Sequence, residues 1–367
     1  MKTVTVIMGT RPEAIKLCPV VLELRKREDV RTVVLTTGQH GALLTDAMAC
    51  FGVSADEELP PPAQVGAGAM TAHLLGTLDA ALGRTRPDFL IVQGDTASAF
   101  AGALAGFYRG IPIAHVEAGL RTYHIRSPFP EEMHRRSIAP LADLHFAPTG
   151  MAKRNLLREG IPEKSVYLTG NTVIDALKYS LVSCTPRNLP VLPQGKRLIL
   201  FTAHRRESWG EPLCEMLRAL RTTVERFPDT YALCPLHPNP IVREAASGVL
   251  VGCERAVVID PPDLTVFHHL LARATLVLTD SGGIQEEACA LGIPTLVMRH
   301  STERTEGIRA GCLRLVGTDA AGIAASAAEL LRENSERYAA MRHPSGVFGD
   351  GNAAERIVRI LSQRMER

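Results

Sequence analysis

The sequence predicts an α/β protein made of two doubly wound domains, each a parallel sheet covered by helices. Short apolar, β-branched runs alternate with helix-like stretches of about ten to sixteen residues, which is the pattern of βα units on a parallel sheet. The length of 367 residues is too great for one ordinary core and suits two. A Pro-rich joint at Pro186, Pro190 and Pro193 separates two such series, and we interpret it as a hinge.

The two series define the predicted domains. The first covers residues 1–170 and the second 171–351, and an amphipathic pattern at 353–365 predicts a last helix, within 352–367, that packs back on the first domain. We expect the two domains to face each other across a cleft. The predicted strands of the first domain are 4–8, 32–36, 89–93, 113–116, 144–146 and 166–168. Those of the second are 198–202, 231–234, 256–259, 275–278 and 294–297.

Composition excludes several classes of partner. The net charge is only +2, from 41 basic and 39 acidic side chains, so we expect neither nucleic acid nor an anionic membrane as a partner. No run approaches the roughly 18 apolar residues of a membrane span, and no signal peptide precedes the first strand, which predicts a cytoplasmic protein. The eight cysteines are scattered without a CxxC pair, as expected of buried thiols in a reducing compartment.

Ligands of open parallel sheets bind at the carboxyl ends of the strands, so the residues that follow each strand are candidates for a site. The first strand is followed by Gly9-Thr10-Arg11-Pro12-Glu13. A glycine turn with proline at a helix start offers backbone amides at the positive helix end, which suits a phosphate, and Arg11 and Lys16 can add charge. An ordinary βα turn explains these residues equally well.

Two carboxylates follow neighbouring strands of the first domain. One right-handed crossover joins Asp95 to Glu117, so both are expected at the same sheet edge, as near neighbours if their strands are adjacent at about 4.8 Å. Paired carboxylates suit proton transfer at carbon because a shared, desolvated site raises one pKa. A helix N-cap also explains Asp95, but not Glu117. For Glu131, after Pro130, the helix dipole is the stronger explanation on spacing alone.

The second domain carries cationic and small residues after its strands. His204, Arg205 and Arg206 follow the first of them and suit a diphosphate, although a solvated charge cluster is the alternative. His237 follows the next strand and either binds a ligand or braces a Pro-rich loop. Another strand leads into a helix through Asp280-Ser281-Gly282-Gly283, a turn that lets the backbone approach phosphate oxygens.

Other chemistries lack their sequence signatures. The Asp-Ser-Gly-Gly string is not read as a serine-protease nucleophile loop because it lies in a βα turn rather than an antiparallel barrel. The NAD glycine fingerprint is absent after the first strand, and no phosphate-loop Gly-Lys-Ser/Thr occurs, so hydride transfer and kinase chemistry lose their main support. No HExxH occurs, and we predict neither a metal nor another cofactor.

Six segments in chain order resemble the non-hydrolysing UDP-N-acetylglucosamine 2-epimerases over nearly the whole chain. They are Gly9-Thr10-Arg11-Pro12-Glu13-Ala14-Ile15-Lys16, Gln93-Gly94-Asp95-Thr96, His115-Val116-Glu117-Ala118-Gly119-Leu120-Arg121, Pro130-Glu131-Glu132, His204-Arg205-Arg206-Glu207 and Asp280-Ser281-Gly282-Gly283-Ile284-Gln285-Glu286-Glu287. The resemblance implies a GT-B fold of two Rossmann-like domains, a homodimer, and interconversion of UDP-GlcNAc and UDP-ManNAc. It also implies anti elimination of UDP through 2-acetamidoglucal, followed by re-addition.

The resemblance assigns roles to individual residues. It implies that Phe267, otherwise read as helix core, stacks on uracil and that Glu287 contacts the ribose. It leaves open which carboxylate is the acid and which the base. The implied catalytic residues are Asp95, Glu117, Glu131 and His204, and the implied substrate-binding residues are Arg11, Lys16, Arg205, His237, Phe267, Ser281, Gly282, Gly283, Glu287 and Arg304.

The chain departs from the family pattern at three places. Gly41-Ala42 stands in a region that serves a second, activating UDP-GlcNAc, which predicts kinetics without that activation. His134 replaces a usual Asn, and Thr305-Glu306-Gly307 a usual Pro-Glu-Ala, so a modified UDP-sugar stays open as the substrate. A GT-B glycosyltransferase, a hydrolysing 2-epimerase and a UDP-sugar sensor are the alternatives. The carboxylate trio favours the epimerase over the transferase and the sensor.

Overall fold

The computed structural model describes residues 1–39, 41–63, 66–203, 205 and 208–366, and the chain divides into two compact units. Unit 1 comprises Met1–Val182 with Gly349–Arg367, and unit 2 comprises Ser183–Phe348. Each unit contains one parallel sheet flanked by helices. The predicted α/β class with two parallel-sheet domains is confirmed.

Unit 1 is built on a long parallel sheet. Its strands are β1 (Lys2–Met8), β2 (Val30–Thr36), β3 (Glu57–Glu58), β4 (Phe89–Gln93), β5 (Ile113–Val116), β6 (Leu144–Ala147) and β7 (Val166–Leu168). Its helices up to the boundary are α1 (Arg11–Arg25), α2 (Ala42–Ala49), α3 (Ala67–Thr85), α4 (Ala97–Tyr108), α5 (Glu131–Ile138), α6 (Gly150–Arg158) and α7 (Thr172–Ser183).

Unit 2 repeats this plan with a shorter sheet. Its strands are β8 (Arg197–Thr202), β9 (Thr230–Pro235), β10 (Ala256–Ile259), β11 (Ala274–Thr279), β12 (Thr295–Val297) and β13 (Leu313–Leu315). Its helices are α8 (Glu211–Arg226), α9 (Pro240–Val249), α10 (Leu264–Arg273), α11 (Gly282–Leu291), α12 (Thr305–Arg309), α13 (Ala320–Leu331) and α14 (Glu336–Met341). The chain then returns to unit 1 as α15 (Ala353–Met365).

Both sheets have the doubly wound strand order. The order is β3-β2-β1-β4-β5-β6-β7 in unit 1 and β10-β9-β8-β11-β12-β13 in unit 2. It reverses between β1 and β4 and again between β8 and β11, and such reversal points open a crevice at the carboxyl ends of the strands. The sequence predicted every strand except β3 and β13, which have only two and three residues.

The core of unit 2 shows why its first strand reads as a continuous apolar run. Ile199 and Phe201 pack with side chains of α8, α9 and α13, whereas Leu198 and Leu200 pack with those of α10 and α11. Successive side chains of a strand point to opposite faces, so a strand that is covered on both faces needs apolar residues at every position. The sheet of unit 2 is therefore buried between two helical layers.

The boundary between the units follows α7. Tyr179 of this helix stacks on Phe51 at 5.1 Å between ring centroids. Asp175 accepts the backbone N–H groups of Ala353 and Ala354 at 3.2 and 2.8 Å, and α15 also packs against α1. These contacts assign α7 to unit 1 and put the boundary near residue 182 instead of the predicted 170.

Two histidines lie next to each other inside the sheet of unit 1. His115 on β5 is paired in register with His145 on β6, and both are buried. The Nε2 of His115 donates to the carbonyl oxygen of Gly94 at 2.7 Å. Burial lowers the pKa of His115 to about 3 and that of His145 to about 4, so both rings are neutral at pH 7.

Replacement of His115 by Gln is expected to weaken the acid sensitivity of unit 1. A folded-state pKa below the unfolded value of 6.5 stabilises the fold above that pH, and this stability is lost as the pH falls toward the folded pKa. Urea unfolding at several pH values between about 7.5 and 4.5 should give the variant a pH slope smaller by roughly 1 kcal/mol per pH unit. His124→Gln, at an exposed position, is the control, and an unchanged slope for His115→Gln would contradict the prediction.

Candidate active site

The strand reversal in unit 1 sets the turn after β1 beside the turn after β4. Glu13, in the first turn of α1, accepts the backbone N–H groups of Gly9 and Thr10 at 3.1 and 2.7 Å. Its other oxygen accepts the hydroxyl of Thr96, the N-cap of α4, at 2.8 Å. Burial raises the pKa of Glu13 to about 7, against the opposing effect of these hydrogen bonds. The backbone amides of Gly9 and Thr10, which were expected to bind a phosphate, therefore bind Glu13.

Glu117 lies directly after β5, and β5 pairs with β4 as the sequence analysis required. Its carboxylate is 3% exposed and accepts Lys16 Nζ at 2.5 Å, Asn171 Nδ2 at 3.1 Å and Gln93 Nε2. Its backbone has φ of 61°, in the left-handed region that costs a non-glycine residue of order 1 kcal/mol. Lys16, which was assigned to a phosphate, therefore pairs with a buried carboxylate in this structure.

Asp95 is held by α5. Its Oδ2 accepts Nε and Nη2 of Arg135 at 2.9 and 2.5 Å, and its carbonyl oxygen accepts Nδ1 of His134 at 2.9 Å. The ring of His134 stacks on Phe100 at 5.2 Å. Arg135 is nearly buried, with 7% exposure, whereas the Asp95 side chain is 26% exposed. The helix thus fixes Asp95 at both its main chain and its side chain while leaving the carboxylate accessible.

The two adjacent glutamates of α5 have different environments. Glu132 is buried, and its carboxylate accepts the N–H groups of Thr122 and Tyr123 at 3.0 Å each and lies 3.4 Å from Arg135 Nη1. Glu131 is the first residue of the helix and is partly exposed. Within the described part of the chain, no hydrogen bond or ion pair engages its side chain. Glu132 is therefore structural, and Glu131 is available to a ligand.

These residues gather at one edge of the sheet of unit 1. A Cβ on Gly94, next to Asp95 in the chain, would lie 3.7 Å from Oε2 of Glu117. Two residues that contact the carboxylates at this edge, Asn171 and Arg135, were not predicted from the sequence. Asn171 follows the end of β7 and could have been found by the same strand-end rule. Arg135 lies one helical turn after Glu131 and Glu132. This spacing on one helix face is a weaker sequence indication that Arg135 belongs to the site.

The strand reversal in unit 2 joins the turns after β8 and β11. The hydroxyls of Thr202 and Thr279 are 2.7 Å apart across these strands. Asp280 then accepts the backbone N–H of Arg205 at 3.1 Å and the hydroxyl of Ser208 at 2.9 Å. Asp280 thus organises the loop that follows β8. His204 and Arg206, which the sequence analysis places in this loop, lie outside the described residues.

The start of α11 brings helix amides close to a guanidinium group. The side chain of Ser281 does not cap the helix, and the first amides of a helix have no partner within it. A Cβ on Gly282 would lie 3.1 Å from Cζ of Arg304, so glycine lets the guanidinium reach the helix start. A Cβ on Gly283 would meet nothing within 4 Å. Helix dipole and guanidinium together favour a phosphate here.

A buried carboxylate holds three arginines at this turn. Glu303 lies 2.5 Å from Arg304, 3.1 Å from Arg299 and 3.5 Å from Arg205. Burial alone would raise the pKa of Glu303, but the three guanidinium groups hold it well below its usual range. Nε of Arg304 also donates to Glu286 at 2.8 Å. The cationic side chains are therefore fixed in place before any anion binds.

The remaining predicted ligand contacts lie around the same sheet. Glu287 on α11 is 8% exposed and lies 3.4 Å from Nε2 of the buried His268 on α10. Phe267, the neighbour of His268, is half-buried and packs on the core. His237 follows β9 and is exposed, and its Nδ1 accepts the N–H of Asn239 at 3.1 Å. His268 on α10 thus contacts Glu287 on α11.

Two searches of the described residues bear on cofactors and membranes. No group of three His, Cys, Asp or Glu side chains in these residues could hold a metal ion. No helix in the same part of the chain is both long and apolar enough to span a bilayer.

Comparison with known proteins identifies the family. The family model described as UDP-N-acetylglucosamine 2-epimerase matches residues 22–362. A UDP-N-acetylglucosamine 2-epimerase of Bacillus subtilis is 45% identical over 361 residues, which cover 98% of this chain and 94% of that protein. The chain belongs to the UDP-N-acetylglucosamine 2-epimerase family.

Solved structures of this family match along the whole chain. The UDP-GlcNAc 2-epimerase of Neisseria meningitidis, bound to UDP-GlcNAc, is 40% identical with a TM-score of 0.93, covering 99% of this chain and 100% of that one. The S. aureus MnaA–UDP co-structure is also 40% identical, with a TM-score of 0.94 and coverage of 100% and 97%. The predicted resemblance and the predicted GT-B-like fold class of this epimerase family are confirmed.

Loss of the Arg304 guanidinium is expected to weaken diphosphate binding at the start of α11. Arg304→Met removes one positive charge there and leaves Glu286 and Glu303 with fewer cationic partners. A charge-assisted contact of this kind contributes roughly 1.5–3 kcal/mol, so the Kd for inorganic pyrophosphate should rise about tenfold or more in calorimetric titration. Arg309→Met, at an exposed position on α12, is the control and should bind like the parent. Equal affinity in both variants would contradict the proposed role of the turn.

Proposed function

We propose that this chain interconverts UDP-N-acetylglucosamine and UDP-N-acetylmannosamine by inverting C2 of the sugar, without hydrolysis. The observation that carries the proposal is the division of charge between the units. Unit 1 presents carboxylates at its strand ends, and unit 2 presents an anion-binding turn with fixed arginines. Family membership supports the substrate class, since relatives were solved with UDP-GlcNAc and with UDP. On the resemblance alone, we also propose that the chain acts as a homodimer.

In this proposal unit 2 binds the UDP group. The amides at Gly282 and Gly283 and the guanidinium groups of Arg304 and Arg205 contact the diphosphate. Glu287 accepts ribose hydroxyls, Phe267 stacks on uracil, and His237, Arg11 and Ser281 complete the contacts. Cationic and amide groups at the diphosphate stabilise the negative charge that develops on UDP as it leaves. His204 is proposed at the same group from its sequence position.

Unit 1 supplies the proton transfers. A carboxylate removes the proton from C2, the electrons of that C–H bond form a C1–C2 double bond, and the C1–O bond breaks so that UDP leaves with the electron pair. The product is 2-acetamidoglucal. A carboxylic acid then protonates C2 on the opposite face while a phosphate oxygen of UDP adds to C1. Asp95, Glu117 and Glu131 are the proposed groups, and no net oxidation or hydrolysis occurs.

Deuterium incorporation tests the proposed reaction. UDP-GlcNAc incubated with the protein in deuterated water should give UDP-GlcNAc and UDP-ManNAc that both carry deuterium at C2, because the removed proton exchanges with solvent. NMR and mass spectrometry measure the label. Epimerisation that retains the C2 proton would overturn the elimination route. Accumulation of free UDP with free ManNAc would identify a hydrolysing enzyme instead.

Replacement of Asp95 by Asn tests its role. Asp95→Asn keeps the size of the side chain but cannot accept a proton at C2, so turnover should fall by at least about a thousandfold, within the range that proton-transfer groups contribute. UDP should still bind with its original Kd because Asp95 is not among its proposed contacts. Asp79→Asn, at a surface ion pair with Arg109, is the matched control. Near-normal turnover of Asp95→Asn would remove Asp95 from the mechanism.

A further inference from the structure

We propose that Arg135 is a positioning residue for the reaction, which fixes one oxygen of the Asp95 carboxylate and leaves the other open for the proton to be transferred. The inference deepens the proposed function and depends on it. Nothing in the sequence analysis assigns a role to Arg135.

The geometry of the contact separates the two oxygens of Asp95. Both guanidinium contacts, from Nε at 2.9 Å and Nη2 at 2.5 Å, go to Oδ2. Within the described part of the chain, Oδ1 has no hydrogen-bond partner. A carboxylate with one oxygen fixed by a cation and the other open has a defined orientation and a vacant acceptor position. This is the arrangement that a general base needs.

Arg135 cannot easily turn away from Asp95. Its side chain is 7% exposed, and its Nη1 lies 3.4 Å from the buried Glu132. Glu132 is fixed in turn by the backbone N–H groups of Thr122 and Tyr123. Glu132 therefore lies within ion-pair distance of the guanidinium, although Nη1 has no hydrogen-bond partner among the described residues. Such a supporting set keeps a reactive group within a narrow range of positions.

Charged groups surround this contact on every element packed against it. From α5, the ring of His134 contacts the main chain of Asp95, and Glu132 faces Arg135. From the turn after β5 and from α1, Glu117 and Lys16 form an ion pair. Glu13, also from α1, reaches the adjoining turn through Thr96, while Glu131 begins α5. Among these groups, Arg135 is the cation that contacts the Asp95 carboxylate.

The test compares kcat and KM of the epimerisation in four variants. Arg135→Met removes both guanidinium contacts, Arg135→Gln keeps a hydrogen-bond donor without the charge, and Arg135→Lys keeps the charge without the planar fork. Arg136→Met, at the exposed neighbouring position, is the matched control. The kcat should fall at least about tenfold in the Met and Gln variants while KM stays within about twofold, because a displaced carboxylate slows proton transfer without changing substrate binding. Arg135→Lys should recover part of kcat, and Arg136→Met should match the parent protein.

The readouts separate positioning from mere folding. The Kd for UDP should stay within about twofold of the parent value, since Arg135 is not among the proposed UDP contacts. A purely structural Arg135 would lower thermal stability and the folded fraction without lowering kcat per folded molecule, and this would overturn the proposal. If Arg135→Met does not fold, Arg135→Gln gives the same decision. If the parent protein fails to epimerise UDP-GlcNAc, the proposed function fails, whereas a parent that epimerises with an unchanged kcat in the Met and Gln variants defeats only the role of Arg135.

Discussion

A charge at the carboxyl end of a buried strand needs an opposite charge beside it, because desolvation of an isolated ion costs several kcal/mol. This constraint organises both units. In unit 1, Lys16 pairs with Glu117 and Arg135 with Asp95, and in unit 2 Glu303 lies among three arginines. Buried ion pairs of this kind are weak sources of stability. Their concentration at the strand ends, where parallel sheets bind ligands, is therefore better explained by chemistry than by folding.

The two units differ in the groups that surround their strand ends. At the Asp95 edge, Lys16 and Arg135 pair with Glu117 and Asp95, whereas the side chain of Glu131 forms no ion pair with the described residues. At the start of α11, three guanidinium groups surround Glu303, one of them also pairs with Glu286, and the helix amides lie beside them. Carboxylates suit proton transfer, and guanidinium groups beside helix amides suit a diphosphate. This difference in donor and acceptor groups is the physical basis for proposing the nucleotide at one unit and the proton transfers at the other.

Local patterns predicted the fold well and long-range partners poorly. The long apolar runs predicted the strands. The residues directly after these runs predicted Asp95, Glu117 and the turn at Ser281 as candidate site residues. The two-residue β3 carries too little periodicity to be seen, whereas β13 was missed although β7 and β12, of the same three-residue length, were predicted. Lys16 meets a carboxylate 101 positions away in the chain, a contact that only the strand order creates. The capping box from Thr10 to Glu13 has the T-x-x-E spacing in the sequence. Glu13 therefore binds backbone amides that were expected to bind a phosphate.

Backbone geometry distinguishes the two strand-end carboxylates of unit 1. Glu117 has a left-handed backbone, and Gly119 two residues later has φ of 92° with no room for a side chain, since a Cβ would lie 2.3 Å from the carbonyl oxygen of Ala152. A left-handed backbone is unfavourable for a non-glycine residue and persists only when the surrounding structure fixes it. Around Glu117, the donors to its carboxylate are Lys16, Gln93 and Asn171. Glu117 is therefore held at both its backbone and its carboxylate. Asp95, with one oxygen unengaged by the described residues, retains an open acceptor position. The two strand-end carboxylates proposed for proton transfer thus differ in how tightly their surroundings hold them.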